Sequence, residues 1–350
     1  MPIRPYCHRL SGLSASRTRI RTMKKIQLGQ TDLWVSRLIL GAMGFGSKSW
    51  REWVLEDDES FAILKRAVDC GINTFDTCDF YSSGESERIL GTFIKQNLDR
   101  NDVVIATKFG MPLAEDKTVR RYSWEHVRRA VEGSLKRLQI DHIDLYQTHI
   151  WDRDADIEEM MAALDEVVRE GKVRHIGITD MPAWQLAKAQ HAAERSGQTA
   201  FASVQNHYNL IFRDDERELL PLLRDQSLGW IPYSPMGRGF LCGTRRREGW
   251  GTTPRALSDD FAQNLYFRES DFAVAEAVGA MASERGCIPA QVGLMWVLQQ
   301  PGLTAPVIGA TDPSHIDTAV AAIGQTLSDD QAGRLETLYE PRRLPQLRHG

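Results

Sequence analysis

The chain has 350 residues, of which 42% are apolar and 26% charged, and carries a formal charge of -4. This is enough to bury a sizeable core, and it excludes a strongly basic face for nucleic acid. The five cysteines (Cys7, Cys70, Cys78, Cys242, Cys287) are odd in number, scattered and without a CxxC spacing, which argues against a disulfide framework or zinc cage and fits a reducing, cytoplasmic location.

Residues 1–22 hold Arg4, Arg9, Arg17, Arg19 and Arg21 among Ser and Thr, with no acidic residue. That composition suits a transit peptide. Met23 then opens MKKIQLGQTDLWVSRLILG, a strand, turn, strand pattern, so a start assigned too far upstream explains the segment equally well. Residues 1–22 are therefore set apart as an extension, and residues 23–350 are expected to form one domain. No run of about 18 apolar residues occurs, so no membrane span is expected.

From residue 37 onward, short apolar runs alternate with segments of helical period. The runs are RLILG (37–41), INTFD (72–76), DVVIATK (102–108), HIDLYQTH (142–149), VRHIGIT (173–179), FASVQ (201–205), LGWIPYS (228–234) and TAPVIGA (304–310), eight in all. Between them, residues 57–71, 123–138, 156–172 and 183–197 place apolar side chains three and four apart and close on Gly or Lys near several ends. Strands apolar on both faces and separated by helices imply a parallel sheet covered on both sides. Eight such units close most simply as an α/β (β/α)8 barrel, here with an N-terminal β-hairpin and long loops on the C-terminal face. An open doubly wound sheet is the competing reading. Its nucleotide fingerprint is missing, because GAMGFG (41–46) and GRGFLCG (237–243) lack the GxGxxG spacing.

In a barrel, the C-terminal ends of the strands carry the active site. Asp76, Lys108, His149, Thr179, Asp180, Gln205 and Tyr233 stand at those ends, and Tyr81 follows Asp76 on the same loop. Each taken singly reads as a cap, a half-solvated lysine, a satisfied histidine or a core-edge aromatic. Asp79 reads as a loop charge. DRDAD (152–156) imitates a calcium loop, but Ile157 stands where glycine is needed and Ala163 where glutamate is needed. No metal site is expected.

Several spaced segments resemble the aldo-keto reductase superfamily: FDTCDFYSSGESERILG, IATKFG, DLYQTHIWD, VQNHYNL, YSPMGRGFL and PVIGATDPSHID. The likeness runs from Met23 to about Pro341 and is most similar to the bacterial aryl-alcohol-dehydrogenase-like branch. It implies a (β/α)8 barrel binding NADP(H), with NAD(H) as a second cofactor, and reversibly reducing an aldehyde or ketone to an alcohol. The implied tetrad is Asp76, Tyr81, Lys108 and His149. Hydride transfer builds negative charge on the carbonyl oxygen, so a proton donor is required there. Tyr81 is that donor, Lys108 the cation that lowers its pKa, Asp76 the counter-ion of the lysine, and His149 the group orienting the oxygen.

The resemblance also implies the cofactor residues. Tyr233 would stack on the nicotinamide, with Met43 and Asp76 nearby, while Gln205, Thr179 and Asp180 would bind its carboxamide. Ser234, Pro235, Met236, Gly237, Arg238 and Gly239 would approach the pyrophosphate, and Gly309, Ala310, Thr311, Asp312 and His315 the adenosine phosphate at a helix N-terminus. Two positions depart from the family. Asp180 replaces the usual Asn or Ser, and Asp312 replaces a common Lys and would repel a 2'-phosphate, which implies a weakened preference for NADP over NAD. The substrate wall is expected from Met43, Trp50, Trp53, Phe80, Phe109 and Trp151 with loop 240–268, suiting a flat or apolar carbonyl compound. Two other classes stay open: a Schiff-base lyase using Lys108, and a cofactor-sensing binding subunit with negligible turnover. The oligomeric state and the physiological carbonyl stay open as well.

Overall fold

The computed structural model describes residues 23–112, 120–150, 152 and 155–342. Its strands are β1 (Lys25–Gln27), β2 (Trp34–Ser36), β3 (Ile39–Gly41), β4 (Thr74–Asp76), β5 (Val104–Phe109), β6 (Ile143–Thr148), β7 (Val173–Thr179), β8 (Ser203–Gln205), β9 (Gly229–Trp230) and β10 (Val307–Gly309). β1 and β2 pair antiparallel as the expected hairpin. The other eight form one parallel sheet in the order β10, β3, β4, β5, β6, β7, β8, β9. Its two edges meet where the Val307 N–H donates to the Pro232 carbonyl at 2.8 Å and Tyr233 bridges Val307. The sheet therefore closes as a (β/α)8 barrel, which rules out the open doubly wound alternative. β9 is shorter than LGWIPYS suggests, because Pro232 has no N–H to extend the ladder.

Successive strand residues point to opposite faces, so one parity of each strand fills the barrel. Ile39, Val104, Ala106, Leu145, Ile231, Ala305 and Val307 form the inner cluster, and Leu28, Leu33 and Val35 of the hairpin plug its N-terminal end. The opposite parity, including Phe75, Ile105, Tyr146, Ile176, Ile178 and Val204, packs under the helices.

The helices are α1 (Asp57–Asp69), α2 (Glu85–Asn97), α3 (Trp124–Leu138), α4 (Ile157–Arg169), α5 (Ala183–Ser196), α6 (Leu219–Asp225), α7 (Pro254–Ser258), α8 (Asp260–Leu265), α9 (Glu269–Arg285), α10 (Pro289–Leu298), α11 (Pro313–Ala321) and α12 (Asp329–Glu336). α4 buries Ile157, Met160, Met161, Leu164 and Val167, the stripe its period dictates. Ser123 caps α3 by accepting from His126 N–H, and Asp156 caps α4 by accepting from Glu158 and Glu159 N–H. Each such cap contributes about 1 kcal/mol. Asp156, the last residue of the segment that imitates a calcium loop, thus has a helix-capping role. α7 and α8 lie in the long connection after β9. No helix among the described residues is long and apolar enough to cross a membrane.

Candidate active site

FDTCDFY is shaped by the neighbouring strand. Beyond β4, Thr77 N–H donates to Ala106 O at 2.9 Å and Asp79 N–H to Lys108 O at 3.1 Å, so the loop continues alongside β5. After Phe80 the chain reverses sharply, with Ser82 at φ 52, Ser83 at φ 54 and Gly84 at φ 90. Left-handed backbone costs a non-glycine residue roughly 1 kcal/mol or more, a strain that clusters at functional sites. GAMGFG packs against this turn: a Cβ on Gly46 would lie 2.3 Å from Ser82 Cβ, and Ser47 N–H donates to Ser82 Oγ at 2.8 Å. The reversal brings Tyr81 back over the barrel mouth.

There it meets β5 and β6. Lys108 Nζ donates to Asp76 Oδ2 at 2.6 Å and to Thr77 O at 2.9 Å, and lies 3.4 Å from the Tyr81 hydroxyl. The His149 ring stands edge-on to Tyr81 at 5.7 Å and 87°. Asp76 and Lys108 side chains are 4% and 1% exposed. Burial works against the Lys108 ammonium, but the charge of Asp76 and its hydrogen bond outweigh it and hold the lysine above its ordinary value. Burial also pushes the Tyr81 phenol up, by more than Lys108 draws it down, so the hydroxyl is held protonated. Lys108 lowers the phenol as expected, and burial outweighs it. Burial and Lys108 together push His149 well below its ordinary value, keeping the imidazole neutral.

Three neighbours escaped the sequence reading. Gln147 donates to Asp76 Oδ1 at 3.1 Å, beside Gln205 at 2.9 Å. Gln147 lies two residues before His149, so strand parity was the signal that could have found it. The Cys78 sulfur lies 2.9 Å from His149 Nδ1. Burial and the Asp79 charge hold that thiol well above its ordinary value, hence protonated. The thiol donates to Asp79 Oδ1 at 3.3 Å and also contacts His149 Nδ1, linking the two groups. Asp79 is not a solvated loop charge: it is 5% exposed, and burial with the charge of Glu87 pushes its carboxyl up to about 7. Glu87 itself is anchored by Arg137 Nε at 2.7 Å and Thr107 Oγ1 at 2.6 Å.

On the cofactor side, Thr179 Oγ1 is buried without a hydrogen-bond partner. Tyr233 stacks on His207 (5.1 Å, 13°) and its hydroxyl donates to Asp180 Oδ2 at 2.8 Å. Asp180 adopts φ 50, a conformation Asp tolerates better than most residues, and Oδ1 accepts from His207 N–H at 3.3 Å. Protein packed around this carboxyl raises its pKa, although it faces the open mouth, where water weakens the effect. Ser234 and Arg238 in the next loop are also left-handed, at φ 54 and φ 53. Arg238 is not turned free for a phosphate: its Nε and Nη2 each lie 2.9 Å from a carboxylate oxygen of Asp259, and its side chain is 7% exposed. Pro235 and Gly237 are buried, with Met236, Gly239 and Met43 partly exposed around the mouth. At α11, Asp312 caps the helix by accepting from Ser314 N–H at 2.8 Å, and Thr311 N–H donates to His315 Nδ1 at 3.3 Å. Gly309, Thr311, Asp312 and His315 are exposed, and Ala310 is buried.

Of the expected substrate residues, Trp50 meets Phe80 edge-on at 6.0 Å, and Trp53 is nearly buried beside them. Phe109 requires correction. It is fully buried and stacks on Tyr146 at 4.7 Å and 9°, under the helices. Because Lys108 points into the barrel, its neighbour must point out. Trp151 lies outside the described residues. A separate apolar groove, lined by Ile26, Leu220, Leu223, Trp230 and Leu303, lies against the hairpin, away from the tetrad. Among the described residues no His, Cys, Asp or Glu cluster is placed to hold a metal ion.

A closed barrel whose Asp, Tyr, Lys and His converge at the C-terminal mouth defines an oxidoreductase of the barrel type, without a Rossmann domain. The chain belongs to the aldo/keto reductase family, whose sequence model matches residues 37–340. It is 36% identical over 345 residues to the versiconal hemiacetal acetate reductase of Aspergillus parasiticus, covering 92% of this chain and 98% of that one. It is 37% identical over 345 residues to the aldo-keto reductase dtxS3 of Metarhizium robertsii, covering 91% and 92% of the two chains. A Saccharomyces cerevisiae protein whose name places it among the aryl-alcohol dehydrogenases is 34% identical over 343 residues, covering 92% and 98%. These relatives are fungal, which corrects the bacterial branch suggested by the motifs. Family membership makes the protein an NAD(P)H-dependent oxidoreductase acting on small carbonyl compounds.

Proposed function

We propose that this chain reduces aldehyde and ketone carbonyls reversibly with NADP(H), accepting NAD(H) as a second cofactor, and that Tyr81 is its general acid. The observation that carries the reading is the buried chain from Asp76 through Lys108 to the Tyr81 hydroxyl, spanning 2.6 Å and 3.4 Å. The bound nicotinamide supplies the hydride. Thr179, with its unpartnered Oγ1, and Gln205 would hold the carboxamide, and Tyr233 would offer its aromatic face to the ring. Tyr81, held protonated, delivers its proton to the carbonyl oxygen as charge builds there, and Lys108 stabilises the phenolate left behind. His149, held neutral, orients that oxygen. The exposed Asp312 at the N-cap of α11 disfavours a 2'-phosphate and supports the weakened NADP preference.

The lyase reading loses ground, because a Schiff-base lysine must reach its free amine and Lys108 is held as an ammonium against Asp76. A screen of aryl, aliphatic and sugar carbonyls, followed by loss of NADPH absorbance, tests the proposal. Aryl aldehydes come first, given the names of the relatives. Tyr81→Phe is expected to lower turnover by about 100-fold or more. Negligible wild-type turnover across the panel, despite tight nicotinamide binding, would favour the cofactor-sensing subunit instead.

A further inference from the structure

The connection between β3 and α1 and the loop that follows β9 bring four arginines to one side of the mouth. Asp259, fully buried, accepts from Arg238 at 2.9 Å and from Arg245 and Arg255 at 3.3 Å each. One carboxylate therefore serves three guanidinium groups. Arg51 is the fourth, and among the described residues its guanidinium forms no ion pair or hydrogen bond. It lies instead over aromatic rings, its Cζ 4.5 Å from the Trp50 centroid and 5.6 Å from that of Trp53. Arg255 lies over the same Trp53 ring at 4.5 Å. Both cations lie over one nearly buried indole, where water screens charge poorly. Burial and the neighbouring charge of Arg238 push Arg255 down to about 10, against the pull of Asp259. Arg51 is lowered by the same two causes. An anion accepting from Arg51 would offset the Arg238 charge that acts on it.

We propose that Arg51, with Arg255, forms an anion subsite of the substrate pocket, so that the preferred carbonyl compound carries a carboxylate or phosphate group. The inference rests on the reductase reading and specifies its substrate class. Position favours the substrate over the phosphates of the cofactor. Trp50, under Arg51, meets Phe80 edge-on, and Phe80 adjoins Tyr81 in the chain. Arg238, the arginine of the loop expected at the pyrophosphate, is already engaged by Asp259. A guanidinium stacked on tryptophan presents its N–H fork sideways to a carboxylate, a geometry that lysine reproduces only as a point charge.

The test compares 4-formylbenzoate with its methyl ester in wild type, Arg51→Met and Arg51→Lys. Wild type is expected to favour the acid over the ester in kcat/KM by about tenfold or more, the range of one charge-assisted hydrogen bond. Arg51→Met, which keeps an unbranched stem on the rings, is expected to bring that ratio close to one, and Arg51→Lys to retain part of it. A wild-type ratio near one would overturn the proposal. So would a rise in the NADPH Kd of Arg51→Met as large as the fall in the ratio, which would assign the arginine to a cofactor phosphate. If no aldehyde is turned over, the reductase reading fails alone, and calorimetry with benzoate on NADP-loaded protein decides the subsite: binding by wild type that Arg51→Met loses supports it, and equal or absent binding overturns it.

Discussion

Replacing Asp79 by Asn is expected to stabilise the fold, by an amount that grows as pH rises from about 4 to about 7. The side chain is 5% exposed and its carboxyl is pushed up to about 7 by burial and by Glu87. In the unfolded chain it titrates near 3.9. Between those two values the folded protein holds a proton that the unfolded chain has released, so stability falls as pH rises from about 4 to about 7 and is level above that. The full cost of the ionised group reaches ~4 kcal/mol as an upper figure, and about 2 kcal/mol of it accrues above pH 5.5. Asn keeps the shape without the charge. Urea unfolding followed by tryptophan fluorescence, at pH 5.5 and pH 8, compares the two proteins; the variant should gain about 2 kcal/mol over wild type between those pH values. Parallel stabilities would refute the reasoning and return Asp79 to the class of solvated loop charges.

Other substitutions probe separate links. Asp76→Asn leaves the Lys108 ammonium buried without its counter-ion and should cost about 3–5 kcal/mol of stability at pH 7 by the same urea assay. Phe109→Ala should destabilise by about 3–5 kcal/mol while leaving the KM for carbonyl substrates near wild type, since the ring packs under the helices rather than in the pocket. Cys78→Ala removes the sulfur that contacts His149 Nδ1 and should lower kcat/KM by about tenfold, with Cys78→Ser restoring part of it, as steady-state kinetics would show. Asp312→Asn keeps the helix cap but removes its charge, so the ratio of kcat/KM for NADPH over NADH should rise by about three- to tenfold; in wild type that ratio should stay below about a thousand.

The barrel was legible because its strands are buried on both faces and read as unbroken apolar runs, as in DVVIATK and VRHIGIT. The places of Asp76, Lys108 and His149 followed from where those runs stop. What the runs hid was parity. Taking alternate residues of β5 and β6 would have turned Phe109 outward and Gln147 inward, because Lys108 and His149 fix the inner face. Cys78 and Asp79 were illegible for a different reason: a loop that continues a strand buries side chains that composition assigns to solvent. The arginines around Asp259 depend on a meeting between residue 51 and residues 238–259, separated by most of the chain, which no local pattern encodes. Trp151 and residues 1–22 fall outside the described residues.

The central claim is that Tyr81, held protonated beside Lys108, is the proton donor to a carbonyl reduced at this mouth. Single-turnover mixing of NADPH-loaded protein with an aryl aldehyde reads that step without product release. In Tyr81→Phe the account predicts hydride transfer slowed by about 10²- to 10⁴-fold with NADPH still bound. A wild-type rate in that variant would contradict it.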